Sequence, residues 1–245
     1  MQTKIRVGAV SYLNTKPLIY GFEHGMMKDE VDLVIDYPSK IASMLLENEI
    51  DVGLVPVAII PEMKEHFIIS DYCIGSEGEV ASVCLFSEVP LEKIEKILLD
   101  YQSRTSVALL KILIKDHWKI EVIFENTSGE YESKISGTTA GLVIGDRALQ
   151  QRKNSPYIYD LGLEWKNFTG LPFVFAAWIS NKKLNDEFIH SFNEANSFGL
   201  NNIEEVVNEN PYEIFDLRYY YTDCISFGLD ADKKMGLELF LEKLK

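Results

Sequence analysis

GAVSYLNTKPL, residues Gly8–Leu18, is the stretch that decides the fold. Before it stands a short strand-like run, Ile5-Arg6-Val7. Within it the apolar pattern stops and Ser11, Tyr12, Asn14, Thr15 and Lys16 follow in quick succession. Pro17 then suits the first turn of a helix, with Thr15 as a plausible N-cap and Gly25 as the stop. A strand that turns into a helix through a polar loop is the opening half of a βα unit. The loop carries far more donors than a turn needs.

Reading outward, the rhythm repeats. Val31–Asp36 (VDLVID) predicts a strand, and Pro38-Ser39 opens a helix with Ile41, Met44 and Leu45 at helical spacing, closing near Glu49. Asp51–Val55 predicts a third strand, and Pro56 starts a short helix. Phe67–Ile74 and Glu79–Phe86 read as longer extended segments. A second α/β series starts at Lys96: strand Ile97–Asp100, a helix from Ser103 to about Trp118, and strands at 121–124, 140–144 and 157–161. Phe173–Ile179 (FVFAAWI) predicts a strand leading back to the first unit, and helical runs follow at 184–198, 203–222 and 230–244, the middle one broken at Pro211. Two α/β lobes result. The first is discontinuous, 1–87 with 176–245, and the second, 88–175, is inserted into it. Such an arrangement leaves a cleft beside the carboxyl ends of strands, where ligands sit, and hinged closure is its natural motion.

The totals narrow the function. With 245 residues, 47% hydrophobic, the chain has ample core material. A formal charge of −14 without a basic patch argues against nucleic acid or an anionic membrane as partner. Cys73, Cys84 and Cys224 are odd in number and scattered, which suggests reduced thiols. The four histidines show no metal-ligand spacing, and no Walker loop occurs, so neither a metal nor a nucleotide is expected. Met1–Val7 lacks the apolar core of a signal peptide, and no run of about eighteen apolar residues follows; a cytoplasmic location is expected.

The candidate substrate contacts are the polar residues that follow strands: Ser11 and Asn14, Pro56, Ser82 on the crossing segment, the Ser103-Arg104-Thr105-Ser106 turn, and Gly145 with Asp146. The Ser103–Ser106 turn is the best anion candidate. A helix start leaves backbone N–H groups unpaired, hydroxyls add donors, and Arg104 adds charge. Each residue also has a plainer reading. Ser103 or Thr105 serves as an N-cap, Asn14 bonds its own turn, Ser82 bonds strand backbone, and Asp146 caps the next helix. Lys16 is either solvated or faces an anionic ligand. Trp165, Trp178 and Tyr219–Tyr221 read first as core.

Taken together, GAVSYLNTKPL, Asp51–Pro56, Gly78–Val83, Ser103–Ser106, Ile144–Asp146 and Thr169–Trp178 resemble, in order and across nearly the whole chain, the chorismate dehydratase family of the futalosine route to menaquinone. The resemblance implies a two-lobed, periplasmic-binding-protein-like (type II) α/β fold with a ligand cleft between the lobes. It implies a cytoplasmic hydro-lyase that removes water from chorismate to give 3-(1-carboxyvinyloxy)benzoate without a cofactor. It assigns the active-site amide to Asn14, a hydroxyl to Ser82, and anion binding to Ser103–Ser106. Two other readings fit the same fold: a solute-binding protein for a small carboxylate, and the sister enzyme 1,4-dihydroxy-6-naphthoate synthase. The latter calls for a base such as histidine, and none lies in the strand-end segments.

Overall fold

The computed structural model describes residues 4–245, so the reading of Met1–Thr3 lies outside the described residues. The first unit runs β1 (Ile5–Val10), a 3₁₀ turn (Leu13–Thr15), α1 (Lys16–Glu23), β2 (Val31–Asp36), α2 (Pro38–Leu46) and β3 (Val52–Pro56). A 3₁₀ segment (Val57–Glu62) and β4 (Phe67–Ser76) follow. Next come β5 (Val83–Ser87), β6 (Lys96–Leu99), α3 (Arg104–Ile112), β7 (Ile123–Asn126), β8 (Thr139–Ile144), α4 (Asp146–Gln151), β9 (Tyr157–Asp160) and α5 (Leu161–Thr169). The chain closes with β10 (Phe173–Ser180), α6 (Asp186–Asn201), α7 (Ile203–Glu209), α8 (Leu217–Tyr219), β11 (Ser226–Gly228) and α9 (Ala231–Lys243).

Two sheets form. The larger has the order β11-β4-β10-β3-β1-β2 and the smaller β7-β6-β8-β5-β9. Strands β1, β2 and β3 are parallel, as are β6, β7 and β8. Strands β4, β5, β9, β10 and β11 add antiparallel pairings, so both sheets are mixed. Strand β5 lies within the range read as the first lobe, yet its backbone bonds go to β8 and β9. The return point at 175/176 falls inside β10, which pairs with β4 from Phe173 onward.

Glu79–Phe86 is not one extended segment. Residues 77–82 are turned, and Asp160 is the reason. Its carboxylate caps α5 through Gly162 and Leu163, and also accepts from the N–H groups of Val80 and Ala81. Ala81 is held at φ +61°, where a side chain is strained. Helix α5 and the three-residue β11 are elements that the periodicity does not reveal. The helix expected to run to Trp118 does so, with a π-helical last turn at Leu113–Trp118.

Trp165 and Trp178 are fully buried. Trp178 stands edge-on to Phe192 at 4.9 Å and donates from Nε1 to Asn196 at 2.8 Å. Trp165 packs against Phe173 at 5.2 Å. Both are core residues and do not stack a ligand. The three cysteines are buried thiols. Among the described residues no helix is long and apolar enough to cross a membrane.

Candidate active site

A hollow lies where the loops after β1 and β8, the end of β3 and the start of α3 converge. Tyr12 and Asn14 enter it from the first loop, Pro56 from β3, Gly145 from the β8 end, and Ser103 and Ser106 from α3. Val83 and Phe175 supply apolar walls. The free space is about 50 Å³, room for only a few waters.

Local sequence explains the placement. The strand β1 delivers Ser11 with its N–H bonded to Asp36 O at 3.0 Å, and the chain then turns through Leu13–Thr15. Within that turn Asn14 Oδ1 accepts from the Thr15 hydroxyl at 3.3 Å. The amide –NH₂ of Asn14 has no acceptor among the described residues and is left as a donor at the hollow. At α3, Ser103 caps the helix by accepting from Ser106 N–H at 3.0 Å and donates to Ser106 Oγ at 2.8 Å. The Ser106 hydrogen has no acceptor among the described residues, so the pair offers a polarised hydroxyl.

Other expected residues stand elsewhere. Ser11 is exposed and outside the hollow's lining. Arg104 turns away: its Nη1 donates to both Glu62 oxygens, at 3.0 and 3.1 Å. A carboxylate within reach claimed the charge. Thr105 Oγ1 accepts from Ala58 N–H at 3.1 Å, a bond between the two lobes. Ser82 is fully buried; its hydroxyl accepts from Tyr220 Oη at 2.6 Å and does not line the hollow. Its carbonyl holds Gly145 N–H at 2.8 Å. Asp146 does not cap its own helix: Gly145 is the N-cap, at φ +62°, and no side chain caps there.

Tyr12 and Phe175 are lining residues not singled out as contacts in the sequence. Each sat inside a quoted motif, but an aromatic residue there reads equally as core. Tyr12 Oη donates to Gln102 Oε1, which also accepts from Arg147 Nη2 at 3.0 Å. Arg147 in turn donates to Asp100 at 2.8 Å and Glu132 at 2.8 Å. Burial, with the Asp100 charge adding, pushes the Tyr12 phenol well up, so it stays a neutral donor. Burial pushes the Asp146 carboxyl up to about 6, against the opposing pull of the Leu13 N–H, Arg147 and Lys16. Apart from Tyr12 the lining contains no titratable side chain. The arrangement offers neutral donors from both the β1 loop and the α3 start, with apolar walls around a small hollow.

Known proteins resemble the chain over nearly its whole length. It is 26% identical to the chorismate dehydratase of Thermus thermophilus, over 97% of this chain and 94% of that protein. It is 25% identical to the chorismate dehydratase of Campylobacter jejuni, over 97% and 96%. Among solved structures, protein AF1704 of Archaeoglobus fulgidus superimposes with a TM-score of 0.72 at 15% identity, covering 98% of this chain and 96% of that one. The periplasmic aliphatic sulphonate binding protein SsuA of Escherichia coli gives 0.61 at 13%, covering 99% and 93%. These two carry the fold alone: two-lobed and periplasmic-binding-protein-like. The family profile described as menaquinone biosynthesis matches residues 5–245, and the chain therefore belongs to that menaquinone biosynthesis family.

Proposed function

We propose that the protein is a chorismate dehydratase, a hydro-lyase that converts chorismate to 3-(1-carboxyvinyloxy)benzoate on the futalosine route to menaquinone, in the cytoplasm. The observation that carries this reading is the pairing of Asn14 with Ser103 and Ser106 around one apolar-walled hollow. We divide the molecule for this purpose into a lobe of residues 4–76 with 173–245 and a lobe of residues 83–169, joined by the passages at 77–82 and 170–172. Two chorismate dehydratases of similar sequence support the reading.

Chorismate is a dianion. Its dehydration removes the ring C–H proton at the carbon bearing the enol ether and breaks the neighbouring C–OH bond. The electron pair of the first becomes the last ring double bond, and hydroxide leaves with a proton as water. Aromatisation drives the step. The protein therefore needs to hold both carboxylates and to stabilise charge on the ring as it develops. The α3 start, with its N–H groups and the Ser106 hydroxyl, suits one carboxylate. The Asn14 amide suits the developing charge. With no basic side chain in the lining, the enolpyruvyl carboxylate of the substrate is the proton acceptor in this scheme. Ser82 joins the site through the Gly145 backbone that its carbonyl holds. Pockets for such ligands run to about 300–1,000 Å³, so the lobes must part to admit chorismate.

Incubating the protein with chorismate and following aromatic product by absorbance and mass spectrometry tests the reading. Loss of one water is expected, with a fall of about 10²–10³-fold in kcat for Asn14→Ala at unchanged fold. Binding without turnover would make it a solute-binding protein, and wild-type rates for Asn14→Ala would remove that residue from the mechanism.

A further inference from the structure

The carboxylate of Asp146 performs no service for its own helix. It reaches from the second lobe into the first, where Oδ1 accepts from the backbone N–H of Leu13 at 3.1 Å, across 133 residues of sequence. Leu13 opens the 3₁₀ turn that carries Asn14. The N–H groups at the start of such a turn have no partner within it. The contact is built on both sides. Gly145 lacks the Cβ that would stand 2.9 Å from the Tyr12 ring, so the β1 loop can lie against the start of α4. Tyr12 is tied to the second lobe through Gln102, and Tyr212, from the C-terminal segment, donates to the Asp146 carbonyl at 3.2 Å.

We propose that Asp146 is a positioning residue: by holding Leu13 N–H across the crevice it fixes the Leu13–Thr15 turn, and so sets the Asn14 amide only when the lobes are closed. The catalytic part of this inference rests on the dehydratase reading above; the closure part does not. The link makes site assembly a consequence of closure. In the open molecule the turn loses its outside acceptor, and the amide is free to swing.

The groups facing Asp146 decide its behaviour with pH. Lys16 of α1 and Arg147 of α4 are the cations nearby. Tyr12 of the first loop and Tyr212, Tyr220 and Tyr221 of the C-terminal segment are the phenols that feel its charge. Those phenols do not ionise near neutrality. Arg147 is engaged by Asp100 and Glu132, and Lys16 stands 3.6 Å from Glu23. The carboxyl itself, at about 6, is then the group of this cluster that changes charge just below neutrality. Opening exposes the carboxyl and returns it towards its ordinary value, so the closed form binds the proton more tightly and acidification does not open the crevice.

The test compares wild type, Asp146→Ala and Asp146→Asn. Asparagine keeps an acceptor oxygen without the charge. With chorismate, Asp146→Ala should lower kcat about 10–100-fold with KM changed less than about 3-fold. Asp146→Asn, which keeps the acceptor for Leu13 N–H, should recover to within about 3-fold of wild type. Small-angle scattering without substrate is the second arm: Asp146→Ala should be more extended than wild type at pH 7, while Asp146→Asn should stay as compact as wild type. This arm stands even if wild type leaves chorismate unchanged, an outcome that would sink the dehydratase reading alone. Wild-type kcat and compactness in Asp146→Ala, or no recovery of either in Asp146→Asn, overturns the proposal.

Discussion

Tyr220 donates its phenolic hydrogen to the Ser82 hydroxyl, 2.6 Å away and 138 residues distant in sequence, and both side chains are fully enclosed. The neighbouring phenol, Tyr221 Oη, is also buried but has no partner among the described residues. The two adjacent tyrosines therefore predict opposite outcomes. Tyr220→Phe strands the Ser82 oxygen, whose remaining bond to Val80 O is 3.4 Å long, and should cost about 1–2 kcal/mol. Tyr221→Phe removes an unmatched buried hydroxyl and should be neutral or stabilising by up to about 1 kcal/mol. Urea midpoints of both variants check this. Equal losses in the two would refute it.

Gly145 sits at φ +62° with the Tyr12 ring where a Cβ would be. Gly145→Ala faces both backbone strain and a clash between lobes, and the clash is relieved by opening. Strain alone is of order 1–3 kcal/mol. The expected result is a lower kcat on chorismate, with the same variant more extended by scattering. Tyr12→Ala in the same chain removes the ring and should restore compactness. No recovery of compactness would show that the backbone, and not the ring, sets the effect.

Much of this architecture is legible from local pattern, and its failures share one cause. Strand β2 is Val31–Asp36 as the alternation predicts, and β8 ends at Ile144. Asn14, Ser103, Ser106 and Gly145 follow strands, a position that in an α/β unit faces the crevice, and all four line the hollow. What local pattern cannot carry is the identity of a distant partner. Arg104 reads as an anion donor until Glu62, 42 residues away, takes it. Asp146 reads as a cap until Leu13 takes it. Residues 79–82 read as strand until Asp160 bends them. The rings of Tyr220 and Tyr221 behave as core, as expected; the role of the Tyr220 hydroxyl depends on a residue from the other end of the chain.

Asp160 is the strongest case. One buried carboxylate accepts from four backbone N–H groups on two segments. Burial raises its pKa while those bonds oppose the rise. Asp160→Ala leaves these donors unpaired in the interior and should cost about 3 kcal/mol or more. Ala81, which the same carboxylate holds at positive φ, should respond the other way. Ala81→Gly relieves the strained backbone and should stabilise by about 0.5–1 kcal/mol, or roughly break even once the added freedom of the unfolded chain is counted. A clear loss in Ala81→Gly would mean that the methyl group's packing outweighs the strain.

The acid stability of the molecule should divide into two windows, each owned by one carboxylate. Burial disfavours the Asp51 charge, but side-chain and backbone hydrogen bonds from Arg6, with Lys182 adding, outweigh it and hold the carboxyl at about 2, against an ordinary 3.8. Its bonds are 2.9 Å from Arg6 N–H and 3.0 Å from Lys182. Below its ordinary value the unfolded chain takes up the proton first, so this stabilisation is complete above about pH 4 and disappears as pH falls towards 2. Since Arg6 and Lys182 are partly exposed and screened, it is on the order of 1–2 kcal/mol. Asp146 runs in the opposite sense. Its folded value, about 6, lies above the ordinary 3.8, so the folded state binds the proton first. Its contribution therefore falls as pH rises from about 4 to 6. Urea midpoints of Asp51→Asn and Asp146→Asn, each subtracted from wild type across pH 2–7, separate the two. The Asp51 difference should grow between pH 2 and 4 and then level off; the Asp146 difference should change only between about 4 and 6. A pH-independent Asp51 difference would mean that its ion pairs add nothing beyond the hydrogen bonds an asparagine can keep.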